Sequence, residues 1–525
     1  MSPYATELEP DACYLALKAR DARFDGTFFT GVTSTGIYCR PVCRVRTPKR
    51  ENCRFFGHAA QAESAGFRPC LRCRPELAPR AAAWSIQDAS AILAHQAARL
   101  LDDPECWGGA VPSVEALAAR LGVSDRHLRR IFEGQFGVSP VQYLQTRRLL
   151  TAKQLLADTA LPMTQVALVS GYASVRRFNA TFLAHYGLNP TRLRREGAER
   201  HGQGLAVRLG YRPPYDARSM LAFFGQRQVH GVELVRAADD AGSFARTLAV
   251  ESAGTVHRGW LAAQFDPGQS HVVLRVADAL VDVLPAVIRR VRDMLDLDAD
   301  PKSINKVLHP HFPQGDGLRV PGAASGYELA VRAVLGQQIT VAAARTLAQR
   351  LVDRFGEPIA TPWPELTRLF PAPAVLAGAG GDALGQLGIV RQRQAAIVAI
   401  ARAVHERRLQ LHAGADLAAT VAALTQLPGI GDWTAQYIAM RALRWPDAFP
   451  AGDVALHKAL GVQGEPRPAA AALAASEAWR PWRSYAVIRA WHGLGAGQPA
   501  RPAGRAARAG GTRPAAPAAL PQESS

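Results

Sequence analysis

The spacing of apolar residues between positions 113 and 140 is that of two short helices. A glycine interrupts the first run at Gly122, and Ser124 can cap the start of the second helix. Leu128, Ile131 and Phe132 then form one apolar face. The pattern predicts a helix-turn-helix. The charged residues left on or near the outer face of the second helix are Asp125, Arg126, His127, Arg129 and Arg130.

The same pattern returns further along the chain, with Gly171 at the turn and Ser174 as the N-cap. Arg176 and Arg177 are expected to be exposed on its second helix, and the ending YGLNP matches FGVSP of the first unit. One such unit alone would more often be an ordinary helical hairpin with a solvated charged face. Two in tandem predict a DNA-binding region, because a basic helix can enter the major groove.

The second half of the chain has a different character. After a predicted linker at 196–204, LAVRLGYRPP and SHVVLRVADAL read as strands of a small sheet over 205–284. Residues 285–495 read as mostly helical. Residues 496–525 are rich in Ala, Pro, Gly and Arg with almost nothing to bury, which predicts a disordered basic tail.

Composition and charge narrow the class of partner. The 525 residues are 48% apolar, enough for several cores, and 62 Lys plus Arg against 44 Asp plus Glu give a net charge of +18. Nucleic acid is the natural partner for such a chain. The amino terminus does not have the pattern of a signal peptide, and no apolar stretch reaches membrane-spanning length. We therefore expect a cytoplasmic protein with no membrane contact.

Four cysteines form a Cys-x3-Cys pair and a Cys-x2-Cys pair, at Cys39, Cys43, Cys70 and Cys73. Short spacers of this kind let both cysteines of a pair bind the same ion. The two pairs together supply four thiolates, which suit a single tetrahedral Zn²⁺ per chain. The spacing alone would fit a purely structural zinc site, which is the usual case. The remaining cysteines read as free thiols in a reducing compartment: Cys13, Cys53 and Cys106.

The string TGIYCRPVCRVRTPKREN, followed by GFRPCLRC, resembles the amino-terminal methyl-acceptor domain of the Ada family, here predicted over 1–80. That resemblance implies repair of methyl phosphotriesters in DNA, with Cys39 as the methyl acceptor; spacing alone could not choose among the four cysteines. A thiolate is the nucleophilic form of sulfur. The basic residues expected to offer a phosphate-binding surface are Arg40, Arg44, Arg46, Lys49, Arg50, Arg54, Arg68, Arg72 and Arg74.

Methylation of one thiolate would change the charge of the zinc cluster from minus two to minus one. Repulsion from DNA phosphate would fall, so one irreversible step could both repair the lesion and raise DNA affinity. The tandem units over 85–195 resemble the AraC-type DNA-binding domain, which the Ada family carries after its zinc domain. The resemblance implies promoter DNA and RNA polymerase as partners.

Segments from 205 to 495 resemble, in order, the AlkA-type 3-methyladenine DNA glycosylases of the helix-hairpin-helix superfamily: YRPPYDARSMLAFFGQR, AVLGQQITVAAARTLAQRL, LPGIGDWTAQYIA and PWRSYAVIRAW. Gly429 and Gly431 permit a tight turn whose amides can approach a DNA phosphate. The resemblance makes Asp453 the catalytic carboxylate. It places Gln337 and Gln338 on the loop that fills the gap left by a flipped base.

The resemblance also implies an aromatic base pocket formed by Trp433, Tyr437, Trp491 and Phe223. Electron-rich rings suit the positive charge of an N-alkylated purine. For each aromatic residue taken alone, core packing is the usual explanation. Members of the superfamily that also cut the strand have lysine at the position of Trp433, so a monofunctional glycosylase is expected. Val454 and Gln338 depart from the AlkA pattern, where an aromatic and an apolar residue stand.

The expected fold is therefore multidomain α+β. It comprises a small zinc-bound α/β domain, an all-α double helix-turn-helix, a small β-sheet domain and a mostly α helix-hairpin-helix glycosylase. The expected function is excision of alkylated bases, joined to a methyl phosphotriester acceptor and a transcriptional regulator. One alternative is a regulator whose second half binds damaged DNA without cleaving it. Another is a zinc-stabilised glycosylase with no acceptor activity.

Overall fold

The computed structural model describes residues 9–80, 89–103, 107, 112–194, 204–236 and 242–495. Cys106, nearly all of the predicted linker at 196–204 and the predicted tail at 496–525 lie outside the described residues. No helix within the described ranges is both long enough and apolar enough to cross a membrane.

The amino-terminal region is built on a four-stranded sheet in the order β3-β1-β2-β4. Strand β2 pairs with β4 in parallel and with β1 antiparallel, and β3 lies on the far side of β1. Because the two parallel strands end at the same edge of the sheet, the cysteine pairs that follow them meet there. The strands are β1 Phe29–Val32, β2 Ile37–Cys39, β3 Cys53–Phe56 and β4 Arg68–Pro69, and the helices are α1 Pro10–Ala19 and α2 Ala59–Ser64.

The next region is all-helical, and the two predicted helix-turn-helix units are both present. Ser124 accepts a hydrogen bond from the amide of His127 at 3.3 Å, and Ser174 accepts one from Arg177 at 3.2 Å, as N-caps do. Gly122 has a positive φ of 66° in the first turn. The helices are α3 Ala89–Leu101, α4 Val114–Arg120, α5 Asp125–Phe136, α6 Pro140–Asp158, α7 Met163–Val169, α8 Val175–Tyr186 and α9 Pro190–Leu193.

A five-stranded antiparallel sheet follows, in the order β5-β9-β8-β7-β6. The two strands predicted from the sequence are its paired strands β5 and β9, while the three strands between β5 and β9 in the chain were not predicted. The prediction at 211–214 is wrong, because the strand ends at Gly210. The elements are β5 Leu205–Gly210, α10 Ala217–Gln226, β6 Glu233–Arg236, β7 Ser243–Ser252, β8 Thr255–Asp266 and β9 His271–Val276.

The last region is helical, as predicted. Its first helix, Leu284–Met294, packs into the core of the five-stranded sheet, and the helices after it form two more apolar cores. One core packs around α13, α14, α17 and the start of α19, and the other packs around α20 and α22. The helices are α11 Leu284–Met294, α12 Pro301–Leu308, α13 Gly326–Leu335, α14 Val341–Phe355, α15 Pro373–Ala377, α16 Gly381–Gly385, α17 Arg391–His405, α18 Leu417–Thr425, α19 Asp432–Arg441, α20 Val454–Leu460, α21 Pro468–Ser476 and α22 Arg483–Gly495.

One buried arginine joins the two halves of the chain. Arg212 is fully buried, and its guanidinium donates to the carbonyl oxygens of Asp25, Pro79 and Arg80 at 2.7, 3.2 and 2.7 Å. It also donates to the carbonyl of Asp298 at 2.9 Å in the second half. Burying a charge is costly unless hydrogen bonds compensate it. This fully hydrogen-bonded arginine therefore indicates a specific interface between the two halves.

Candidate metal centre and base pocket

The four cysteines predicted to bind zinc come together at one edge of the first sheet. Their Sγ atoms all lie within 4.8 Å of one another. Three of the cysteines are buried and Cys73 is half-buried. A tetrahedral Zn²⁺ with bonds of ~2.3 Å to sulfur holds its ligands roughly 3.8 Å apart, so the cluster fits one such ion with small adjustments.

The thiols influence one another strongly. Hydrogen bonds from Cys39, Cys43 and Cys73 hold the pKa of Cys70 well below its ordinary value. Hydrogen bonds to its neighbours, Cys43 first, raise the pKa of Cys39. Four sulfurs gathered this closely are a donor set that suits a single cation.

Two of the arginines expected on the phosphate-binding surface are structural instead. Arg40 pairs with buried Asp25 and donates to the carbonyl of Cys73 at 2.9 Å. Arg74 is buried and pairs with Asp158 at 2.6 Å. The prediction is wrong for these two, because short-range carboxylates neutralise them inside the fold. The predicted basic residues that remain exposed are Arg44, Arg46, Lys49, Arg54, Arg68 and Arg72.

The second helices of the two helix-turn-helix units, α5 and α8, differ in how exposed and how paired their basic residues are. Arg126 and Arg130 are exposed on α5, and the Arg130 guanidinium lies 3.0 Å from Nδ1 of His127. Arg129 is half-buried, with Glu115 at 3.7 Å, so part of its charge is already compensated. On α8, Arg176 and Arg177 are both exposed.

The Asp453 carboxylate is held by three donors at the start of α20. Oδ1 accepts from the amide of Leu456 at 2.7 Å and from the indole N–H of Trp491 at 3.0 Å. Oδ2 accepts from the indole N–H of Trp433 at 3.0 Å. Hydrogen bonds to both oxygens fix the plane of the carboxylate.

The aromatic residues predicted for the base pocket lie beside that carboxylate. Trp433 and Tyr437 share one face of α19, and their rings stack with centroids 5.4 Å apart and an interplanar angle of 15°. The rings of Tyr437 and Trp491 are 6.4 Å apart. These residues line a cleft with a volume of about 1580 Å³. Phe223 and Asp453 also line it.

Phe223 differs from the other three aromatics because guanidinium groups already lie over its ring. Arg227 and Arg441 are 3.7 and 4.8 Å from its centroid. Arg441 also donates to the hydroxyl of Tyr437 at 2.5 Å. Burial alone would raise the pKa of Tyr437, but Arg441 and Arg227 bring it below its ordinary value. Sequence reasoning missed both arginines, since nothing in the local pattern separates them from solvated ones.

The predicted hairpin lies between α18 and α19, and its two glycines do different work. Gly429 has a φ of +75°, which L side chains rarely adopt. A Cβ on Gly431 would meet no atom within 4 Å, so the space in front of the helix start is open. No side chain caps the amides at this end of α19, although Asp432 places a negative charge in the first turn.

The two glutamines of the predicted gap-filling loop also separate. Gln337 is half-buried, and its amide Nε2 donates to the carbonyl of Gly429 and to Oγ1 of Thr434, both at 2.9 Å. Gln338 is exposed in the cleft with a φ of +55°. The loop, the hairpin turn and the base pocket therefore open onto one cleft.

Family models match four segments of this chain. The metal-binding domain of Ada matches 12–76, and a helix-turn-helix domain matches 117–196. The AlkA N-terminal domain matches 206–325, and the model of HhH-GPD superfamily base excision DNA repair proteins matches 331–483.

Curated relatives repeat that order of segments. The chain is 37% identical over 496 residues to the "Probable bifunctional transcriptional activator/DNA repair enzyme AlkA" of Mycobacterium tuberculosis, covering 92% of this chain and 96% of that protein. It is 33% identical to DNA-3-methyladenine glycosylase 2 of Escherichia coli over 54% of this chain and 96% of that enzyme. It is 37% identical to the Escherichia coli bifunctional transcriptional activator/DNA repair enzyme Ada over 29% of this chain and 40% of that protein.

The zinc-type cysteine cluster, the paired helix-turn-helix units and the carboxylate between two indoles thus occur in one chain, and a relative matches that chain over 92% of its length. The chain belongs to the family of bifunctional transcriptional activator/DNA repair enzymes of the AlkA type.

Proposed function

We propose that this protein removes N-alkylated purines such as 3-methyladenine from double-stranded DNA. One observation carries the proposal: the Asp453 carboxylate is fixed between two indole N–H groups beside the stacked rings of Trp433 and Tyr437. A flipped base that carries positive charge would be favoured next to electron-rich rings. Gly429 and Gly431 shape the hairpin that would grip the DNA backbone without reading sequence.

The chemistry is cleavage of the N-glycosidic bond. The bonding electrons leave with the base, and positive charge develops on the deoxyribose. Asp453 would stabilise that charge or take a proton from the attacking water, and water supplies the hydroxyl that remains on the sugar. Trp433 has no amine, so this position cannot form a Schiff base with the sugar, and the expected product is an intact strand with an abasic site.

Asp453→Asn tests this assignment, because asparagine keeps the size of the side chain and removes its charge. Released bases are measured by chromatography from DNA carrying N-alkylated purines. We expect the variant to lose at least roughly a hundredfold in rate. Asp382→Asn, an exposed carboxylate on α16 outside the cleft, serves as the control. A regulator with a binding-only second half predicts no free base from the wild type either.

We further propose that Cys39 accepts a methyl group from methyl phosphotriesters. When bound, Zn²⁺ keeps the cysteine sulfur in its thiolate form at neutral pH. The sulfur forms a bond to the methyl carbon, the bond between that carbon and the phosphotriester oxygen breaks, and the electron pair stays on the oxygen of the phosphodiester that leaves. Exposed Arg46 is placed to attract that backbone.

The acceptor proposal is tested by peptide mass after incubation with DNA that carries methyl phosphotriesters. A gain of one methyl group per chain, located on Cys39, is expected. A zinc-stabilised glycosylase without acceptor activity predicts an unmodified Cys39. Cys53, a buried thiol outside the cluster, is the internal control and should stay unmodified.

The helix-turn-helix units would direct the protein to promoter DNA, where RNA polymerase is the expected partner. The exposed arginines proposed to contact DNA are Arg126, Arg130, Arg176 and Arg177; His127 and the partly compensated Arg129 are proposed as weaker contacts. Replacing a phosphate-contacting arginine by alanine should reduce the slope of log affinity against log salt by about 1. An unchanged slope for Arg130→Ala would remove that residue from the interface.

A further inference from the structure

Gln337 has hydrogen-bond partners on three separate elements. Its side-chain amide donates to the carbonyl of Gly429 in the hairpin turn and to Thr434 on α19, each at 2.9 Å. The backbone carbonyl of Gln337 accepts a hydrogen bond from the guanidinium of Arg393 on α17. The loop between α13 and α14 is therefore tied to the hairpin, to the helix that carries the base pocket and to α17.

The next residue, Gln338, differs from Gln337 in its exposure and its backbone conformation. Gln338 is exposed, lines the cleft and has a φ of +55°, a left-handed conformation that is strained for a non-glycine residue. A residue keeps such a conformation only where its surroundings impose it. The contacts of Gln337 restrain the neighbouring backbone: its carboxamide is anchored on the hairpin and on α19, and Arg393 holds its backbone carbonyl.

Thr434 gives the anchor its place relative to the chemistry. It is 2% exposed and is the next residue after Trp433, whose indole N–H binds Asp453. The same helix carries Tyr437, one further turn along. A hydrogen bond from Gln337 to Thr434 thus sets the distance between the gap-filling loop and the pocket that receives the flipped base.

From this geometry we propose that Gln337 is a positioning residue for base flipping. It holds Gln338 in the conformation that fills the space left in the duplex, while it touches neither the base nor the sugar. The proposal rests on the glycosylase activity proposed above. The two adjacent glutamines therefore have different roles: Gln337 anchors the loop, and Gln338 fills the gap in the duplex.

The test uses the full-length protein and the near-isosteric Gln337→Met, which keeps the volume of the side chain and removes the donor. Single-turnover base release is measured on a duplex with one N7-methylguanine opposite cytosine. Loss of the anchor should lower the rate roughly tenfold, the worth of one or two hydrogen bonds. Thr434→Val removes one of the two acceptors and should lower the rate in the same direction by a smaller factor.

A pyrene nucleotide placed opposite the lesion distinguishes positioning from a merely structural role. Pyrene fills the gap in the duplex by itself, so it should restore Gln337→Met and Gln338→Ala to within about threefold of the wild-type rate on that duplex. A defect in folding or in the base pocket would persist with pyrene. Gln410→Ala changes an exposed glutamine between α17 and α18, outside both the cleft and the hairpin, and should match the wild type on both duplexes.

The outcomes separate the two proposals. If the wild type releases no base from either duplex, the proposed activity fails. If the wild type is active and Gln337→Met either matches it or stays slow opposite pyrene, the positioning role is wrong. Thermal unfolding of each variant in parallel shows whether the fold is retained, and Thr434→Val carries the test if Gln337→Met does not fold.

Discussion

Residues of one type do different work in this protein, and their partners decide which. Arg46 is exposed beside the cysteine cluster, whereas Arg74 is buried and paired with Asp158. Both arginines follow a cysteine pair in a similar basic segment of the sequence. Arg74 pairs with Glu76, two residues away, and with Asp158, 84 residues away, a separation that no local pattern reveals. Sequence reasoning could therefore name the basic residues but could not assign them to surface or interior.

At this scale, Trp433→Phe tests whether the indole N–H matters beyond the ring. Phenylalanine keeps an aromatic face on α19 and removes the donor to Asp453 Oδ2. A hydrogen bond to a charged group is worth about 1.5–3 kcal/mol, so single-turnover base release should fall by tenfold or more. The control is Trp363→Phe, which packs against Trp260 outside the cleft. Equal rates for wild type and Trp433→Phe would show that the indole serves only as a stacking surface.

Elements were predicted best where one short segment determines them. The two helix-turn-helix units follow from their apolar spacing, their turn glycines and the serines that cap α5 and α8. Strands β6 to β8 escaped prediction, because their pairing depends on one another and their alternation is broken by buried polar residues. Arg246 in β7 is an example, paired with Glu233 in β6.

The hairpin allows two glycines of one turn to be compared. Gly429→Ala should destabilise the protein by about 1–2 kcal/mol, because alanine at a positive φ is strained. Gly431→Ala should leave stability nearly unchanged, since the added methyl group meets no atom within 4 Å. It should instead weaken binding to undamaged DNA, because the methyl group stands where the phosphate would approach. Urea unfolding and salt-matched DNA titration measure the two effects.

A reversed order, with Gly431→Ala the less stable variant or Gly429→Ala the weaker binder at equal fold, would contradict this assignment of the hairpin.

At the scale of the whole molecule, the fused halves are packed against each other through Arg212. Its donors reach carbonyl oxygens of the first region and of the segment after α11 in the second. The family resemblance predicted the order of the parts. It could not predict this contact, because Arg212 lies in the part that resembles the glycosylases, whereas the region that it binds resembles a different family.

Arg212→Met should lower the free energy of unfolding by at least about 2 kcal/mol, since several buried carbonyl oxygens lose their donors. Separate urea transitions for the two halves are also expected. Arg208→Met on β5, four residues before Arg212, changes an exposed side chain and should have little effect. A single unchanged transition for Arg212→Met would show that the apolar contacts alone hold the halves together.

The boundary between the cysteine region and the first helix-turn-helix unit should be sensitive to acid. His58 and His95 both contact the ring of Phe136, at 4.9 and 5.2 Å, and burial lowers the pKa of each to about 4. The unfolded chain binds these protons first, so stability is full above pH ~6.5 and falls as pH drops toward 4. The loss is at most about 1.4 kcal/mol per pH unit for each histidine.

Thermal unfolding between pH 7.5 and 5 measures this slope, and His95→Gln should make it shallower. An identical slope in the variant would exclude His95 as a source of the acid sensitivity.

The central claim is that one chain answers alkylation of DNA with two chemistries, and one labelling experiment tests it directly. DNA methylated with a radiolabelled methyl group is incubated with the protein, and the label is then followed into protein and into small molecules. We predict up to one equivalent per chain on the protein, lost in Cys39→Ala, and repeated turnover into free methylated bases, lost in Asp453→Asn. Label in only one of the two fractions, or the loss of both fractions in either single variant that still folds, would contradict the account.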